Sequence, residues 1–498
     1  MRPLSSRLFT RKPISALEAE IRDGDERSLK RALGAVDLIA LGIGAIVGAG
    51  IFLTVGTAAA GEGLVRPGAG PAIVLSFVVT AVACCFSALC YAEMAAMIPV
   101  SGSAYTYAYA TLGEIFAWII GWDLLIEYAA GNVAVAISWS GYFQELVADV
   151  TTIAFGHPAR LPSWLTHGLR HAPADTLAAA PRLAGLPLVF DLPAVGIVTL
   201  LTWLLVIGVK ESARFNFWMV ATKLTVLGFF IAVGVRFFDL ANWFPPDAPT
   251  AWQGFAPNGW HGIATGAAIV FFAYIGFDAV STVAEETRNP ARDLPIGILG
   301  SLAISTLVYI AVAAVLTGMT PWRELGTAEP LATALSGKGL AWASTFVAFG
   351  SVVAHTAVLL VFQLGQPRIF FAMARDGLLP AWCASIHPRY RTPHVTTILT
   401  GAVVAAFAAV FPVDEIVDLT NIGTLFAFAL VSGGVLVLRV AEPDRPRPFR
   451  APLAWITASL GIASCLTLML YLPAVTWLRF GIWLLAGLAL YFTRRVWR

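Results

Sequence analysis

Charged residues are scarce in this chain. Asp, Glu, Lys and Arg make up 12% of its 498 residues, whereas hydrophobic residues make up 58%. Soluble domains carry about 25% charged residues, so the composition indicates an integral membrane protein. The net charge of +2 provides no basic surface for a polyanion, so we expect no nucleic-acid partner.

Cysteines and clustered metal ligands are also scarce. The five cysteines include no CxxC pair, so neither a disulfide framework nor a zinc site is predicted. The apolar runs contain no histidine pair for haem, no His and Glu at metal spacing and no nucleophile beside a base. A membrane enzyme or an electron carrier would need one of these. We therefore expect no enzymatic activity, no metal and no cofactor.

Long apolar runs are abundant instead. Twelve of them are long enough, or nearly so, to cross a bilayer as helices, and we number them spans 1 to 12. Span 9 is short for a crossing, and span 3 would be about 50 Å long as a helix, so we expect it to tilt or to project from the bilayer. The predicted spans are residues 35–59, 71–97, 114–147, 190–208, 216–235, 262–284, 296–318, 340–364, 396–412, 419–438, 453–472 and 477–493.

The basic residues predict the orientation, because Lys and Arg accumulate on the cytoplasmic side. If both termini are cytoplasmic, the cytoplasmic tails and loops hold 23 of the 32 basic residues, and the outer loops, together with Arg479 at the adjoining end of span 12, hold 8. The remaining one is Lys223, inside span 5. Residues 1–34 lack the apolar core of a signal peptide, so they are predicted to form a cytoplasmic tail.

Two spans contain a central interruption. Span 1 contains LGIGAIVGAGIF at 41–52, with four glycines, and span 6 contains FFAYIGFD at 271–278, with a glycine near an acid. Glycine costs about 1 kcal/mol relative to alanine inside a helix. The GAIVG of span 1 could simply allow close packing of two helices. The second interruption, five spans later, favours the paired broken helices of an inverted-repeat secondary transporter.

A broken helix frees backbone N–H groups at the start of one half and carbonyls at the end of the other. These groups would hold a carboxylate and an ammonium, which every amino acid carries. On this interpretation residues 35–235 and 262–439 form two repeats of five helices. Residues 453–494 would then form two peripheral helices.

Ionisable residues inside spans are functional candidates because charge is costly in a bilayer. Asp37 and Glu93 lie near span ends, so a functional acid and a water-solvated acid at a helix end are equally good interpretations of each. Asp123 and Glu127 are four residues apart and therefore share a helix face. The candidates are Asp37, Glu93, Asp123, Glu127, Lys223, Asp278 and His355.

Three of these residues allow two interpretations each. Lys223 could gain and lose a proton as helices move around it, which would couple transport to the proton gradient, or it could extend its stem to the interface. Asp278 could bind a cationic side chain or cap the second half of span 6. His355 could be a ligand, although a hydrogen-bonded interior histidine is the commoner case.

Six motifs extend these patterns. Through them the chain resembles the amino acid, polyamine and organocation transporter superfamily, most closely its bacterial cationic amino acid transporter branch, from about Leu33 to Val440. The resemblance implies an all-α, twelve-helix, inverted five-plus-five repeat (leucine-transporter-like) fold with discontinuous helices 1 and 6, in the bacterial inner membrane. The motifs are GIGAIVGAGIF (42–52), YAEMAAMIPVSGSAYTYAYATLGE (91–114), GWDLLIEYAAG (121–131), KESARFNFWMVATK (210–223), FFAYIGFDAVSTVAEETRNPARDLPIGI (271–298) and GQPRIFFAMARDGLLP (365–380).

The resemblance also implies a site. Amides of the span 1 break would hold the substrate carboxylate, and carbonyls at both breaks would hold its α-ammonium. Lys223 would carry the coupling proton beside a span 8 hydroxyl, best matched by Thr356. The residues implied are Gly48, Ala49 and Gly50 for the carboxylate, Ile46, Phe272, Ala273 and Ile275 for the ammonium, and Glu127, Asp278 and His355 for the side chain.

The function implied is amino acid and proton symport by alternating access, with cationic amino acids as one substrate class. An amino acid exchanger and a membrane amino acid sensor remain as alternatives. We expect a monomer surrounded by lipid, with a small accessory membrane peptide left open. Two features depart from the family: the bulky His355 and the long outer loop 148–190. Segments 98–113 and 365–395 match it and are predicted to gate the inner vestibule.

Overall fold

A computed structural model describes residues 8–14, 32–62, 66–100, 102–183, 185–208, 213–327 and 329–493. Helices fall on all twelve predicted spans. Their bounds are Ala35–Ile46, Gly50–Thr54 and Val55–Ala60 (span 1), Ile73–Met97 (span 2), Glu114–Phe155 (span 3), Leu192–Ile207 (span 4), Ala213–Gly234 (span 5), Gly259–Val270, Phe271–Tyr274 and Asp278–Glu286 (span 6), Pro290–Met319 (span 7), Ala341–Arg375 (span 8), His394–Val410 (span 9), Val413–Ala441 (span 10), Ala454–Leu470 (span 11) and Ala474–Thr493 (span 12).

Shorter elements connect the spans. Two antiparallel strand pairs, Gly61–Glu62 with Arg66–Pro67 and Arg182–Leu183 with Leu186–Pro187, lie in the first and third connections. The short helices are Gly70–Ala72, Ser103–Thr111, Ser163–Leu165, Leu169–His171, Ala174–Ala179, Val235–Phe237, Leu240–Asn242, Ala251–Phe255, Trp322–Glu324, Pro330–Ser336 and Ala381–Ala384.

Length and apolarity divide the spans into two groups. Within the described residues, eight helices are long and apolar enough to cross a membrane, and the bent pair of span 1 would be a ninth. Spans 4, 9 and 11 are apolar helices of 10–17 residues. Helices shorter than about 17 residues cover less than the hydrocarbon thickness unless neighbours compensate. The number of crossings thus remains a prediction.

Span 3 is longer than predicted. Its helix has 42 residues and continues through Phe155, so the predicted loop at 148–190 begins about eight residues later than expected. Gly156, with φ of +80°, ends the helix in the left-handed conformation that glycine adopts without strain. The apolar pattern predicted this end too early, because the last turns of the helix mix polar residues with apolar ones. The apolar ones, Val150, Ile153 and Phe155, are exposed.

Span 1 is interrupted at Val47 and Gly48. The helix Ala35–Ile46 ends there because Val47 is extended (ψ 98°), and the chain resumes as a short π-helical turn at Gly50–Thr54. The two halves are bent by 41°. The predicted interruption of span 1 is therefore present.

Span 6 is also interrupted, by a different device. Its α-helix tightens into a 3-10 turn at Phe271–Tyr274, Ile275 is extended, and Gly276 has φ of +123°. Only glycine reaches that conformation at little cost. A second 3-10 segment then begins at Asp278. Both predicted breaks thus fall on glycine-containing segments in the middle of their spans.

Four of the five pairs of spans that lie five apart in the chain pack on each other. Span 3 packs on span 8, span 2 on span 7, span 4 on span 9, and the two broken spans meet at their interruptions. Such pairing is what a pseudo-two-fold relation between two five-helix units would produce. Span 6 lies at the centre, since 94% of its apolar 18-residue stretch is buried. Span 12 lies at the periphery, since only 22% of the corresponding stretch is buried.

Candidate functional site

The two breaks touch each other through their glycines. A Cβ at Gly50 would overlap the backbone of Ala273 and lie 2.6 Å from its Cβ. In turn, a Cβ at Gly276 would lie 2.8 Å from the carbonyl carbon of Ala45. Each break therefore uses a glycine to bring the other break's backbone into contact. This reciprocal approach explains why the spans retain glycine despite its cost in helices.

Span 1 offers free backbone donors at its break. The amides of Gly48, Ala49 and Gly50 donate to no side chain of the described chain and to no backbone carbonyl outside their own helical turns. The first N–H groups of a helix have no partner within it, and the dipole makes this end positive. Gly48 also lies against Val358 of span 8. The segment that carries these donors thus packs between spans 6 and 8.

The carbonyls near the span 1 break are already bonded by neighbouring spans. Lys223 Nζ of span 5 donates to the Gly44 carbonyl at 2.6 Å, and the Tyr309 hydroxyl of span 7 donates to the Ile46 carbonyl at 2.8 Å. The Tyr142 hydroxyl of span 3 donates to the Phe52 carbonyl at 2.6 Å. A carbonyl has a second lone pair, so the Ile46 oxygen can still accept an ammonium.

Lys223 is fully buried, with 0% of its surface exposed. The span 1 carbonyl of Gly44 is its acceptor, and within the described chain it forms no ion pair. A buried amine without a counter-charge is expensive, and its side chain does not reach the interface. The geometry therefore excludes the snorkelling interpretation of Lys223 in this conformation. Its role in proton coupling remains a prediction.

Three buried acids of spans 3 and 6 lie near one another. Asp123, Glu127 and Asp278 are all buried, and Glu127 is close enough to interact electrostatically with both of the others. Within the described residues none of the three forms an ion pair, and both carboxylate oxygens of Asp123 lack a hydrogen bond. Backbone amides of Gly276 and Ala279 interact with the Asp278 carboxylate, as a capping acid would require.

His355 is a hydrogen-bonded interior residue. Its Nδ1 lies 2.7 Å from the Ser351 carbonyl and therefore carries the proton, so Nε2, 2.8 Å from the Ser138 hydroxyl, accepts. The ring lies 5.7 Å from Phe52 and 5.6 Å from Tyr142, centroid to centroid. The ring thus packs beside the residues that follow the span 1 break, and both of its nitrogens are occupied.

Thr356 is directed away from the predicted partner. Its hydroxyl donates to the Val352 carbonyl at 2.8 Å and accepts from the Trp139 indole at 3.0 Å. The structure therefore pairs Thr356 with span 3, and it shows no hydrogen bond between Thr356 and Lys223. A proton-coupling role for Thr356 remains a prediction.

Sequence comparison adds an independent observation to this geometry. A model of the family described as "Amino acid permease" matches residues 33–489. The chain belongs to the amino acid permease family. It is thus a multi-pass membrane transporter of that family and not an enzyme, and the resemblance stated from its motifs is confirmed.

Curated relatives of this permease cover nearly all of its length. The branched-chain amino acid permease BcaP of Bacillus subtilis is 44% identical over 97% of both chains. The methylthioribose transporter of the same organism is 41% identical over 98% of this chain and 97% of its own. The vacuolar cationic amino acid transporter 4 of Arabidopsis thaliana is 38% identical over 88% of this chain and 68% of its own.

A buried ion pair lies at the end of this permease that the distribution of basic residues predicts to face outward. Arg66, after the second half of span 1, lies 2.9 Å from the Asp418 carboxylate of span 10, and both side chains are buried. With Leu53, Thr54 and Ile269 the pair lines a narrow cleft. Because Arg66 falls in a loop, the sequence alone gave no reason to place it beside a membrane span.

Glu329 lies in the connection between spans 7 and 8. Burial and, to a smaller extent, the neighbouring Glu145 raise the pKa of this carboxyl from 4.5 to about 7, although Arg160 opposes the shift. Arg160 is itself paired with Glu145 at 3.3 Å. Glu329 is near enough to Tyr142 to interact with it electrostatically, so the outer mouth carries a group that titrates near neutral pH.

The N-terminal segment binds the opposite end of the permease, which is the end predicted to face the cytoplasm. Lys12 and the Tyr105 hydroxyl both bind the Asp376 carboxylate, at 2.9 Å and 2.7 Å. The Leu33 amide donates to the Glu286 carbonyl at 3.0 Å, which ties the start of span 1 to the end of span 6. Both predicted gating segments, 98–113 and 365–395, therefore meet the N-terminal segment here.

Sequence reasoning missed several residues at the breaks. Tyr142 and Tyr309 hold carbonyls of span 1, and Asn421 of span 10 donates to the Ala268 carbonyl of span 6 at 2.9 Å. A signal was present, since buried tyrosine hydroxyls and amides in an apolar span need partners. It did not say which carbonyl each one would find.

Proposed function

We propose that this permease imports an amino acid together with a proton by alternating access. The observation that carries the proposal is the position of Lys223, whose buried amine donates to the Gly44 carbonyl just before the span 1 break. A proton bound or lost there changes the charge next to the free amides of Gly48 to Gly50. Binding of a substrate carboxylate and binding of a proton are therefore coupled electrostatically.

The carboxylate and the α-ammonium, which all amino acids share, are assigned to the two breaks. The amides of Gly48, Ala49 and Gly50 bind the carboxylate, as helix N-termini bind anions elsewhere. The carbonyls of Ile46, Phe272, Ala273 and Ile275 bind the α-ammonium. Span 6 contributes most to the ammonium, because no side chain of the described chain donates to its break carbonyls.

The side chain is assigned to the space bordered by Glu127, Asp278 and His355. The unpaired acids favour a cationic side chain, since a buried carboxylate without a counter-charge is costly. The names of relatives point both to branched-chain and to cationic amino acids, so the set of compounds tested for binding must include both classes. Thermal-shift measurement of the purified permease against the twenty amino acids and polyamines identifies the ligand, which stabilises the fold in proportion to occupancy.

The architecture proposed is twelve spans as two inverted repeats of five plus two peripheral helices, acting as a monomer. Pairing of spans five apart and the two mutually packed breaks support it. Both termini are placed in the cytoplasm of a bacterial inner membrane, as the distribution of basic residues favours. Labelling of single cysteines introduced at residues 5 and 496 in intact and in opened cells tests this orientation. Labelling in intact cells would contradict it.

Uptake into proteoliposomes tests the coupling. Liposomes without internal substrate, given an inward proton gradient, are expected to accumulate the labelled amino acid above its external concentration. A protonophore should abolish the accumulation. Uptake that requires internal amino acid and ignores the proton gradient would contradict symport and favour the exchanger.

A further inference from the structure

An apolar groove opens on the inner side of span 7. It has a volume of about 590 Å³ and lies between the start of span 7 and the connection from span 10 to span 11. We call it the inner groove. Its lining residues are Ala291, Arg292, Pro295, Ile296, Leu299, Gly300, Pro448 and Phe449. Seven of these eight residues carry no charge, and the arginine lies towards the cytoplasmic end of span 7.

The apolar wall of the inner groove continues along span 7 into the bilayer. Ile296, Ile304 and Leu307 are exposed, at 37%, 37% and 70%. Residues spaced by eight and eleven share one face of a helix. The groove therefore leads from a charged end into a stripe that faces lipid. Such a shape suits an amphiphile whose tail follows the helix.

Unpaired cations stand at the charged end. Arg292 is exposed, as is Arg450, which follows Phe449 in the chain, and within the described residues neither forms an ion pair. Nearby arginines differ, since Arg445 is paired with Glu442 at 2.7 Å and Arg447 with Glu93 at 3.4 Å. The connection therefore uses two arginines internally and leaves one beside the inner groove.

Acidic residues near the inner groove do not neutralise these cations. Asp293 is buried within span 7, Glu442 is committed to Arg445, and Asp444 is exposed on the connection, six residues before Arg450. The local balance at the groove mouth is positive. Basic pockets at the cytoplasmic ends of membrane helices bind lipid phosphates.

We propose that the inner groove binds one anionic phospholipid, with its phosphate between Arg292 and Arg450 and an acyl chain along span 7. The Ile39 side chain of span 1 lies 3.1 Å from a Cβ built at Gly300. The lipid would thus border the inner half of span 1.

Native mass spectrometry of the full-length permease tests the proposal. After exchange into detergent with added lipid, we expect one bound dioleoyl phosphatidylglycerol and much weaker binding of dioleoyl phosphatidylcholine. The double variant Arg292→Gln, Arg450→Gln should weaken phosphatidylglycerol binding at least tenfold. Leu299→Trp, which fills the groove and keeps both charges, should weaken it similarly. Arg389→Gln removes an exposed cation elsewhere and should leave binding unchanged.

Four outcomes would overturn the proposal. Equal binding of the two lipids would exclude recognition of the anionic headgroup, and binding insensitive to the double variant and to Leu299→Trp would place the lipid elsewhere. Release of a co-purified polypeptide or a second copy by Leu299→Trp would assign the groove to a protein. Glycerol phosphate without acyl chains should neither bind nor compete, and if it did, the site would belong to a free phosphate compound.

Discussion

Span 1 and span 6 differ in which peptide groups their breaks leave unbonded. At span 1 the carbonyls of Gly44, Ile46 and Phe52 accept from side chains of three other spans, while the amides after the break donate to none. At span 6 side chains bond the carbonyls before the break, and those at the break accept from none in the described chain. One break therefore presents donors and the other acceptors, which matches the two ends of an amino acid backbone.

The largest effect is expected where the two breaks touch. Gly50→Ala places a methyl group into the backbone of Ala273, which must separate the breaks, and overpacking costs about 1–3 kcal/mol. Substrate affinity should fall tenfold or more in thermal-shift titrations. Gly228→Ala is the control, because no atom lies within 4 Å of its added Cβ. Near-normal affinity of Gly50→Ala would remove the amides of span 1 from the site.

Gly276→Ala is the corresponding substitution at the break of span 6. It adds the strain of a positive φ for a residue with a Cβ to the contact with Ala45. We expect it to lower the melting temperature more than Gly50→Ala does, because Gly50 needs no left-handed backbone. Equal losses of stability in the two variants would contradict the idea that Gly50 is needed for close packing alone, whereas Gly276 is also needed for its backbone conformation.

Lys223→Met is expected to separate binding from coupling. Methionine keeps the length of the stem and removes the donor to Gly44, so accumulation driven by a proton gradient should be lost while the amides and span 6 carbonyls still bind substrate. Uptake in proteoliposomes and thermal-shift binding measure the two separately. Lys338→Met, on an exposed loop, is the control. Undiminished gradient-driven accumulation would refute the role of Lys223.

The features predictable from sequence were those set by local composition. Glycines in an apolar run cost helix stability whatever surrounds them, so the breaks at Gly48 and Gly276 were visible, as was the isolated Lys223. Partners across spans were not visible. Which carbonyl Tyr309 reaches, or that Thr356 bonds Trp139, depends on helix rotation, and one helical position turns a side chain by 100°.

Tyr309→Phe tests whether the carbonyls of span 1 are structural. It removes the hydroxyl that donates to Ile46, which should cost about 1 kcal/mol of stability and change substrate affinity less than about threefold. Tyr274→Phe, which loses a 2.9 Å bond to the Phe77 carbonyl, is matched in size and burial. A tenfold loss of affinity in Tyr309→Phe alone would give Ile46 an ammonium-binding role equal to that of span 6.

Glu329→Gln tests whether pH dependence arises at the breaks or at the outer mouth. The pKa of Glu329 is raised from 4.5 to about 7 by burial, so the folded state prefers the protonated acid. Its stabilising contribution is present below pH 4.5 and is lost as pH rises through 7. The variant should therefore match the wild type in melting temperature at pH 4.5 and exceed it at pH 8, by an energy on the order of 2 kcal/mol.

Glu324→Gln removes a charge from the same connection and serves as the matched control, for which no such divergence is expected. If Lys223 alone couples transport to protons, Glu329→Gln keeps gradient-driven accumulation while its stability profile flattens. Loss of accumulation in Glu329→Gln would move part of the coupling from the span 1 break to the outer mouth. The asymmetry between the breaks would then describe substrate binding only, because the proton would be taken up at a distance from both.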